Sequence, residues 1–285
     1  SYTAAGGVTK MQLGNGLWET AQFNTRQQVT QLGLGIVATD TSHWKIDYEF
    51  GELQTNGTVD ATKNTGNIGK QTLTVPGTNF VQAYKYDPLD RLTEAKETTS
   101  TTQNWIQQFG YDRYGNRTSF SKTIGSTTTT STPSIDASTN RFSGSQGFTY
   151  DANGNITQDA DPLNSHVRAF TFNGDNKQTQ VTDVTNSNHV VGTYYYDGEG
   201  KRVKKVTDTE TTIFVYSAGK LVAEYSTNVT PVEDAKVAYT TADHLGSPRV
   251  ITDQNGQIAS RRDFMPFGEE IVQNVGGRTS GLQYG

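Results

Sequence analysis

Apolar and polar residues alternate in short segments along much of this chain. Residues 44–50 show the pattern most clearly, with Trp44, Ile46, Tyr48 and Phe50 at every second position. A period of two predicts a β-strand with one buried face. No segment combines a sustained helical period with capping residues. The pattern therefore predicts an all-β protein in which helices are few and short.

Pairs of aromatic residues one position apart recur along the chain, and both members of a pair would point to the same face of a strand. After Phe148 and Tyr150, Asp151 can bond nearby backbone groups through its side chain, and Gly154 can adopt the positive φ of a tight hairpin loop. The predicted structural positions of this unit are Tyr86 and Asp87; Tyr111, Asp112 and Gly115; Tyr150, Asp151 and Gly154; Phe172 and Asn173; Tyr196, Asp197 and Gly200; and Tyr216.

The copies of this unit lie roughly 20 to 25 residues apart, with a wider gap between Tyr111 and Tyr150 and a fainter copy at Phe23. Fixed periods in this range are typical of repeat proteins. A single hairpin cannot bury its aromatic face, so its neighbours must supply the other side. The sequence predicts hairpins that share an aromatic ladder. The alternative is a set of unrelated hairpins in a sandwich or barrel, where Asn-Gly and Asp-Gly turns are also common.

The composition favours a sheet that is wetted on both faces or curls around a polar lumen. Only 32% of the 285 residues are hydrophobic, and mean hydropathy is -0.65. No run approaches the ~20 apolar residues of a transmembrane helix, so we expect no membrane span, and the first residues have no features of a secretory signal. Because those residues already read as a strand and turn, we expect a piece of a longer protein, with any export signal outside it.

Charge and cysteine content exclude further classes of function. The chain contains no cysteine, which excludes disulfides, thiolate metal sites and cysteine nucleophiles. Its net charge of -5 argues against a nucleic-acid partner, because binding phosphates requires a positive surface.

Two groups of residues suggest chemistry and are better explained by turns. Asp243, His244 and Ser247 resemble the members of a catalytic triad, but adjacent residues of a strand face opposite sides, so we expect His244 and Arg249 to fix a turn by hydrogen bonds instead. Asp151 and Asn153 resemble a calcium loop that lacks its bidentate glutamate. We therefore expect no enzymatic activity, no catalytic residue, no cofactor and no metal site.

The last part of the chain contains sequence motifs that are more specific than the repeats. Its motif residues are Asp243, His244, Leu245, Gly246, Ser247, Pro248 and Arg249, followed by Pro266, Phe267 and Gly268. The Tyr-Asp units resemble the YD repeats of the Rhs family, and these two motifs in this order resemble the start of the Rhs-associated core. The resemblance extends over about residues 13–270, that is, most of the chain.

The resemblance implies an all-β fold in which YD-repeat hairpins form a spiralling sheet, as a β-spiral shell or barrel. It implies two segments: residues 1–237 as the repeat sheet and residues 238–285 as the start of the core, continuous with the same sheet. In bacterial relatives such a shell encloses a C-terminal toxin, and toxin-complex shell components and teneurins are related. The self-cleavage site of the family lies beyond the matching residues, so we do not expect self-cleavage here.

The expected function is structural. This chain would form part of the wall of a secreted or cell-surface bacterial shell, and its expected partner is an encapsulated toxin or effector polypeptide outside this chain. Two alternatives stay open at this point. One is an adhesion or glycan-binding surface module. The other is an extracellular scaffold or filament that self-associates through sheet edges, because unpaired strand edges invite pairing.

Overall fold

The computed structural model describes residues 1–161, 166–217, 219–228 and 237–285. About 53% of the chain is strand and 4% is helix. Every helix within the described residues is a short 3₁₀ segment, and these are Ala61–Lys63, Gly144–Gln146, Val275–Gly277 and Ser280–Leu282. The all-β prediction with very little helix is confirmed. In this part of the chain, no helix is long and apolar enough to cross a bilayer.

The chain forms two compact units. The first contains Ser1–Thr132 and Lys236–Gly285, and the second contains Pro133–Ala235. Strands of the first unit before residue 133 are β1 (Lys10–Gln12), β2 (Trp18–Phe23), β3 (Val29–Gly35), β4 (Trp44–Phe50), β5 (Glu52–Leu53), β6 (Val59–Asp60), β7 (Ile68–Val75), β8 (Thr78–Tyr86), β9 (Leu92–Thr99), β10 (Thr102–Tyr111), β11 (Arg117–Ile124) and β12 (Thr127–Ser131).

The second unit follows in the chain, and the first unit then resumes. Strands of the second unit are β13 (Ile135–Asp136), β14 (Arg141–Phe142), β15 (Thr149–Tyr150), β16 (Ile156–Asp161), β17 (His166–Phe172), β18 (Gln178–Asp183), β19 (His189–Tyr196), β20 (Arg202–Val206), β21 (Thr211–Ser217) and β22 (Lys220–Ser226). The remaining strands of the first unit are β23 (Ala238–Ala242), β24 (Pro248–Asp253) and β25 (Ile258–Arg261).

The first unit is built on a ten-stranded antiparallel sheet, with strand order β1-β2-β3-β4-β7-β8-β9-β10-β11-β12. Consecutive strands of this sheet are neighbours, as expected for a run of hairpins. The connection from β4 to β7 contains β5 and β6, which form a separate two-stranded sheet. In β4 the alternation places Trp44, Ile46 and Tyr48 in the core, with each of these side chains at most 4% exposed.

One face of this sheet carries the main hydrophobic core. Ile46 lies opposite Leu73 in the strand register, and Leu73 lies opposite Phe80, so their side chains form a row across three strands. All three are fully buried, and burying each such side chain contributes about 1.5–3 kcal/mol. Val250 and Tyr284 from the end of the chain pack into the same core. The C-terminal segment therefore covers this face of the sheet.

Residues 238–285 do not extend the ten-stranded sheet, although the sequence predicts one continuous sheet. Strands β23, β24 and β25 pair with one another as a separate three-stranded sheet. The physical reason is burial: Val250 at the centre of β24 is fully buried in the core cluster. A strand that packs on the face of the larger sheet buries such a side chain in the core, whereas a strand added at the edge of that sheet would not.

The Thr-rich segment around residues 126–133 contains strand β12. Residues Thr127–Ser131 pair with β11 and are exposed throughout. Threonine is β-branched and fits a pleated strand, and β11 offers a free edge to pair with. The segment is therefore an exposed edge strand.

The second unit contains an eight-stranded antiparallel sheet with strand order β15-β16-β17-β18-β19-β20-β21-β22 and the hairpin of β13 and β14. In β21 Phe214 is 9% exposed, whereas its neighbours Ile213 and Val215 are 40% and 38% exposed. Successive side chains of the strand thus face a buried side and a wetted side. This agrees with the low hydrophobic content of the chain.

Candidate functional site

The turns that follow the aromatic pairs share one hydrogen-bonding pattern. At Asp87 the backbone N–H donates to the carbonyl of Arg91 at 2.9 Å, and the N–H of Asp90 donates to the carbonyl of Asp87 at 3.0 Å. The Asp87 carboxylate accepts the N–H groups of Leu89 and Arg91 at 2.9 and 3.0 Å. The same four bonds form at Asn24, Asp112, Asn173, Asp197, Asp243 and Asp253. The Asx side chain thus takes up the orphan donors of its own turn.

The fourth residue of each turn has a left-handed backbone. Its φ is 88° at Gly115, 91° at Gly154 and 79° at Gly200, where glycine avoids the steric cost of this region. The unit that follows Phe23 has Gln27 at this position with φ 60°, so the faint copy has the same geometry as the others. The non-glycine residues at this position are Gln27, Asp90 and Asn176.

Hydrogen bonding also sets the charge of the turn carboxylates. Hydrogen bonds from the Arg91 side chain, and from the backbone of the turn, hold the pKa of Asp87 below its usual value. The side chain of Asn116 has the same effect on the pKa of Asp112, and that of Asn155 on the pKa of Asp151. These groups are ionised at neutral pH.

The tyrosine of the unit joins one hairpin to the one before it. In each case its hydroxyl donates to the carbonyl of the first residue of the preceding strand. The pairs are Tyr86 to Ile68 at 3.1 Å, Tyr111 to Leu92 at 2.8 Å, Tyr196 to Gln178 at 2.7 Å and Tyr216 to Arg202 at 3.1 Å. Burial raises the pKa of Tyr86 to about 12, so its hydroxyl stays protonated and donates. This contact explains why tyrosine serves better than phenylalanine here.

Three copies of the unit differ. Phe172 has no hydroxyl, and the hydroxyl of Tyr150 instead accepts the backbone N–H of Phe142 at 3.2 Å. After Tyr216 the turn is one residue shorter: Ser217 pairs with Lys220, and Gly219 has φ 79°. Ala218 in that turn lies outside the described residues.

Arginines stack on the aromatic ladder, a feature that the sequence analysis missed. Arg91 lies 4.9 Å from the ring centre of Tyr111, and Arg202 lies 4.8 Å from that of Phe214. Each cation thus covers an aromatic ring of the next copy of the unit. The signal was present in the sequence, because these arginines stand five or six residues after the tyrosine of their own unit, at the start of the return strand.

The DHLGSPR motif forms a buried turn. Asp243 accepts the N–H groups of Leu245 and Ser247, and its second oxygen accepts Nε of Arg249 at 2.9 Å. Both side chains are nearly fully buried. Pro248 begins β24, and Gly246 occupies the left-handed position of the turn with φ 86°.

Both oxygens of the Asp243 carboxylate are thus used in hydrogen bonds that hold the turn. His244 lies edge-on to Tyr48 with ring centres 4.5 Å apart, and burial lowers the pKa of His244. The hydrogen bonds of the described residues include no relay from Asp243 through His244 to Ser247. Arg249 bonds Asp243 in this turn, whereas the His244 ring packs against Tyr48.

A buried ionic cluster connects this motif to the ten-stranded sheet. Arg278 donates to both carboxylate oxygens of Glu97 at 2.7 and 2.8 Å and to Asp263 at 2.8 Å. Asp263 also accepts the hydroxyl of Tyr284 at 2.7 Å and lies 3.4 Å from Arg249. Arg278, Glu97 and Asp263 have side chains that are at most 1% exposed.

Every charged side chain of this cluster has a partner of opposite charge. We call the cluster the clamp, because it holds the C-terminal segment on the ten-stranded sheet. Burial alone would lower the pKa of Arg278, but the hydrogen bonds to Glu97 and the charges of Asp263 and Glu97 outweigh it and raise the pKa. Sequence reasoning missed Glu97, Asp263 and Arg278. For Glu97 a signal existed, since it stands two residues after Ala95 on the inward face of β9.

The second core motif closes another turn. Gly268 donates its N–H to the carbonyl of Met265 at 2.9 Å, and Pro266 lies between them. Phe267 at the tip is 62% exposed and stands edge-on against the buried Phe109, with ring centres 5.0 Å apart. Motif residues from both core turns thus lie in the first unit.

Among the described residues, no group of three acidic or histidine side chains is arranged to hold a metal ion. The side chains of Asn153 and Asn155 donate to Asn176 at 3.0 and 2.8 Å, and Asn155 also donates to Asp151. These groups link the turns of two successive hairpins.

Successive hairpins that share Asx turns, tyrosine contacts and stacked arginines define a YD-repeat shell protein. Residues 61–231, more than half of the chain, match the family described as the teneurin YD-shell. The chain belongs to this family. A search of curated proteins finds no match.

Solved structures show the same fold. The crystal structure of TcdB2-TccC3-Cdc42 matches with a TM-score of 0.69 and 17% identity over 100% of this chain. The crystal structure of TcdB2-TccC3 matches with a TM-score of 0.60 and 15% identity, again over 100% of this chain. This chain spans only 16% of each of those chains.

Proposed function

We propose that this chain is a section of the wall of a hollow β-shell that encloses a toxin or effector polypeptide. The observation that supports this role best is the repeated tyrosine contact. Each of the hydroxyls of Tyr86, Tyr111, Tyr196 and Tyr216 binds the backbone of the preceding strand. The acceptor in each contact is a backbone carbonyl, which every residue provides, so a tyrosine at this position can make the same contact in every repeat of a wall.

The proposed role is non-enzymatic. The carboxylates most suited to chemistry, Asp243 and Asp263, are each paired with arginine inside the protein. A paired, buried carboxylate has no access to a substrate. The bonds of Asp243 and Asp263 lie within the C-terminal segment, which Arg278 joins to Glu97 of the ten-stranded sheet. We further propose a secreted or cell-surface location, by analogy with the family.

Enclosure is tested on the intact natural protein that contains this chain. We expect electron microscopy to show a hollow shell with internal density, and limited proteolysis to leave the internal polypeptide uncut while an unfolded control is degraded. Loss of protection in a variant that opens the wall, Arg278→Met, would link enclosure to the clamp. A solid particle, or an internal polypeptide cut as fast as the control, contradicts the proposal.

Self-association through a sheet edge is a second candidate role, and β12 favours it. This strand is the last of the ten-stranded sheet, is exposed throughout, and consists of threonine and serine without charge or proline. Edges of this kind pair readily with other strands. Sedimentation velocity over a concentration series tests it: Thr129→Lys should abolish any oligomer, whereas a concentration-independent monomer contradicts this role. An adhesion or glycan-binding role stays a prediction.

A further inference from the structure

Exposed aromatic rings and arginines meet at one end of the hairpin of β10 and β11. We name this the arginine-aromatic surface and define it by Arg113, Tyr114, Arg117, Phe120 and Phe267. We propose that it docks an acidic polypeptide segment that carries aromatic or aliphatic side chains. The proposal concerns an outside partner of this surface and does not depend on the enclosure of a cargo.

The two most exposed rings of the surface stand at the tips of turns, and Phe267 has a buried support. Tyr114 is 59% exposed at the tip of the turn that starts at Asp112, and Phe267 is 62% exposed at the tip of its own turn. Phe267 packs edge-on against Phe109, which is 6% exposed, and Met265, which begins the turn of Phe267, is 3% exposed. A ring that protrudes while its base is packed, as that of Phe267 does, loses little conformational freedom on binding.

The cations of the surface have aromatic partners and no anionic one. Arg113 lies 4.5 Å from the ring centre of Tyr114, and Arg117 lies 5.1 Å from that of Phe120 and 6.0 Å from that of Phe267. Within the described part of the chain, neither guanidinium forms a salt bridge. This is unexpected in a chain of net charge -5.

The local sequence explains the missing partner. In the turn at Asp87 the fifth residue is Arg91, which pairs with the second oxygen of Asp87. In the turn at Asp112 the fifth residue is Asn116, whose side-chain amide takes the corresponding oxygen at 2.8 Å. Arg117 follows one position later and is left without the carboxylate. Two positive charges therefore stay available beside exposed rings.

These groups favour a polypeptide with carboxylates over other ligands. Arginine and tyrosine are among the residues that contribute most to protein interfaces, and a guanidinium that leaves water needs a carboxylate in return. A neutral glycan needs acceptors for its hydroxyls, yet Asp112 and Asn116 are bonded to each other and to the turn backbone. Net negative charge opposes nucleic acid.

The test uses the full chain and a fluorescein-labelled synthetic peptide of repeated Glu-Phe-Ser units, followed by fluorescence anisotropy. We expect binding that weakens in high salt, and about tenfold weaker binding for Arg113→Gln, Arg117→Gln and Tyr114→Ser. The corresponding Lys-Phe-Ser and Glu-Ser-Ser peptides should bind no better than these variants. All three substitutions lie at exposed positions, and thermal unfolding of each variant checks that the fold is kept.

Arg202→Gln is the matched control. Arg202 also stacks on aromatic rings, but its partner Phe214 is buried, so this substitution should leave peptide binding unchanged. Binding of the acidic peptide that is equal in the native chain and in Arg113→Gln and Arg117→Gln would overturn the proposal. So would the absence of peptide binding, whether or not heparin or single-stranded DNA binds to the same chain.

Discussion

Arg278 and Glu97 form a two-bond ion pair, 2.7 and 2.8 Å long, between positions 181 residues apart in the chain. Both side chains are fully buried. The pair lies where the C-terminal segment covers the ten-stranded sheet, and Asp263 and Tyr284 extend it. A buried pair of this kind is costly to break, because the remaining partner is left as an uncompensated charge.

The first prediction concerns this pair. Arg278→Met should lower the free energy of unfolding by about 3–5 kcal/mol, because it leaves Glu97 buried without its partner. Replacing both residues, with Glu97→Leu added, should recover part of that loss, since apolar side chains do not need a counter-charge. Urea denaturation of the three proteins measures both effects.

Lys63→Gln is the control for this experiment. Its partner is Glu52, and both side chains are more than half exposed, so the loss of stability should be much smaller than that of Arg278→Met. Equal losses for Arg278→Met and Lys63→Gln would show that the buried pair does not clamp the segment.

The second prediction concerns the tyrosine contact between neighbouring hairpins. Tyr111→Phe removes the hydroxyl that donates to Leu92 and should cost about 0.5–1.5 kcal/mol. Phe172→Tyr is the reverse change: a hydroxyl at this position would reach the carbonyl of Ile156, the first residue of the preceding strand. It should stabilise the second unit by about 0.5–1 kcal/mol, measured by chemical denaturation. A loss of stability in Phe172→Tyr would contradict the shared geometry.

The third prediction concerns the left-handed turn position. Gly115 has φ 88°, and a Cβ placed there would meet no atom within 4 Å. Gly115→Ala should therefore cost about 1–2 kcal/mol through backbone conformation alone. Gly144→Ala is the matched control, because its Cβ also meets open space and its φ is not positive. Thermal unfolding that shows the same loss for both would point to a cause other than the backbone.

The fourth prediction concerns acid. The pKa of Asp112 is lower in the folded protein than its usual value of 3.8, through hydrogen bonds from Asn116 and the turn backbone. A lowered folded pKa means that the unfolded chain binds the proton first, so the contribution is complete above about pH 4 and is lost as pH falls through the folded pKa. The melting temperature should stay level from about pH 7 to pH 5 and fall below about pH 4.

Asp112→Asn is the informative variant for this acid dependence. Asn173 makes the same turn bonds with an uncharged side chain, so the substitution should keep the fold and reduce the loss of stability at low pH. An unchanged acid profile in Asp112→Asn would mean that the turn carboxylate does not contribute to it.

The turns and the ladder follow from local sequence. A period of two places aromatic side chains on one face, and an Asx residue bonds the backbone only two and four positions later. Contacts over so short a span are almost independent of the rest of the protein, so the unit at Asp112 could be predicted without a structure. The faint copy at Phe23 also has a positive φ at Gln27, although glutamine is not a residue type from which this conformation is predicted.

Packing between distant segments decided the buried ion pair and the position of the C-terminal strands. Nothing near Glu97 or Arg278 in the sequence names the partner, because a buried charge selects whichever counter-charge the folded chain brings within reach. The pairing of β23 to β25 with one another, on the face of the larger sheet, is of the same kind. It depends on which apolar surface can be buried once all the strands are in place, a sum over many distant contacts.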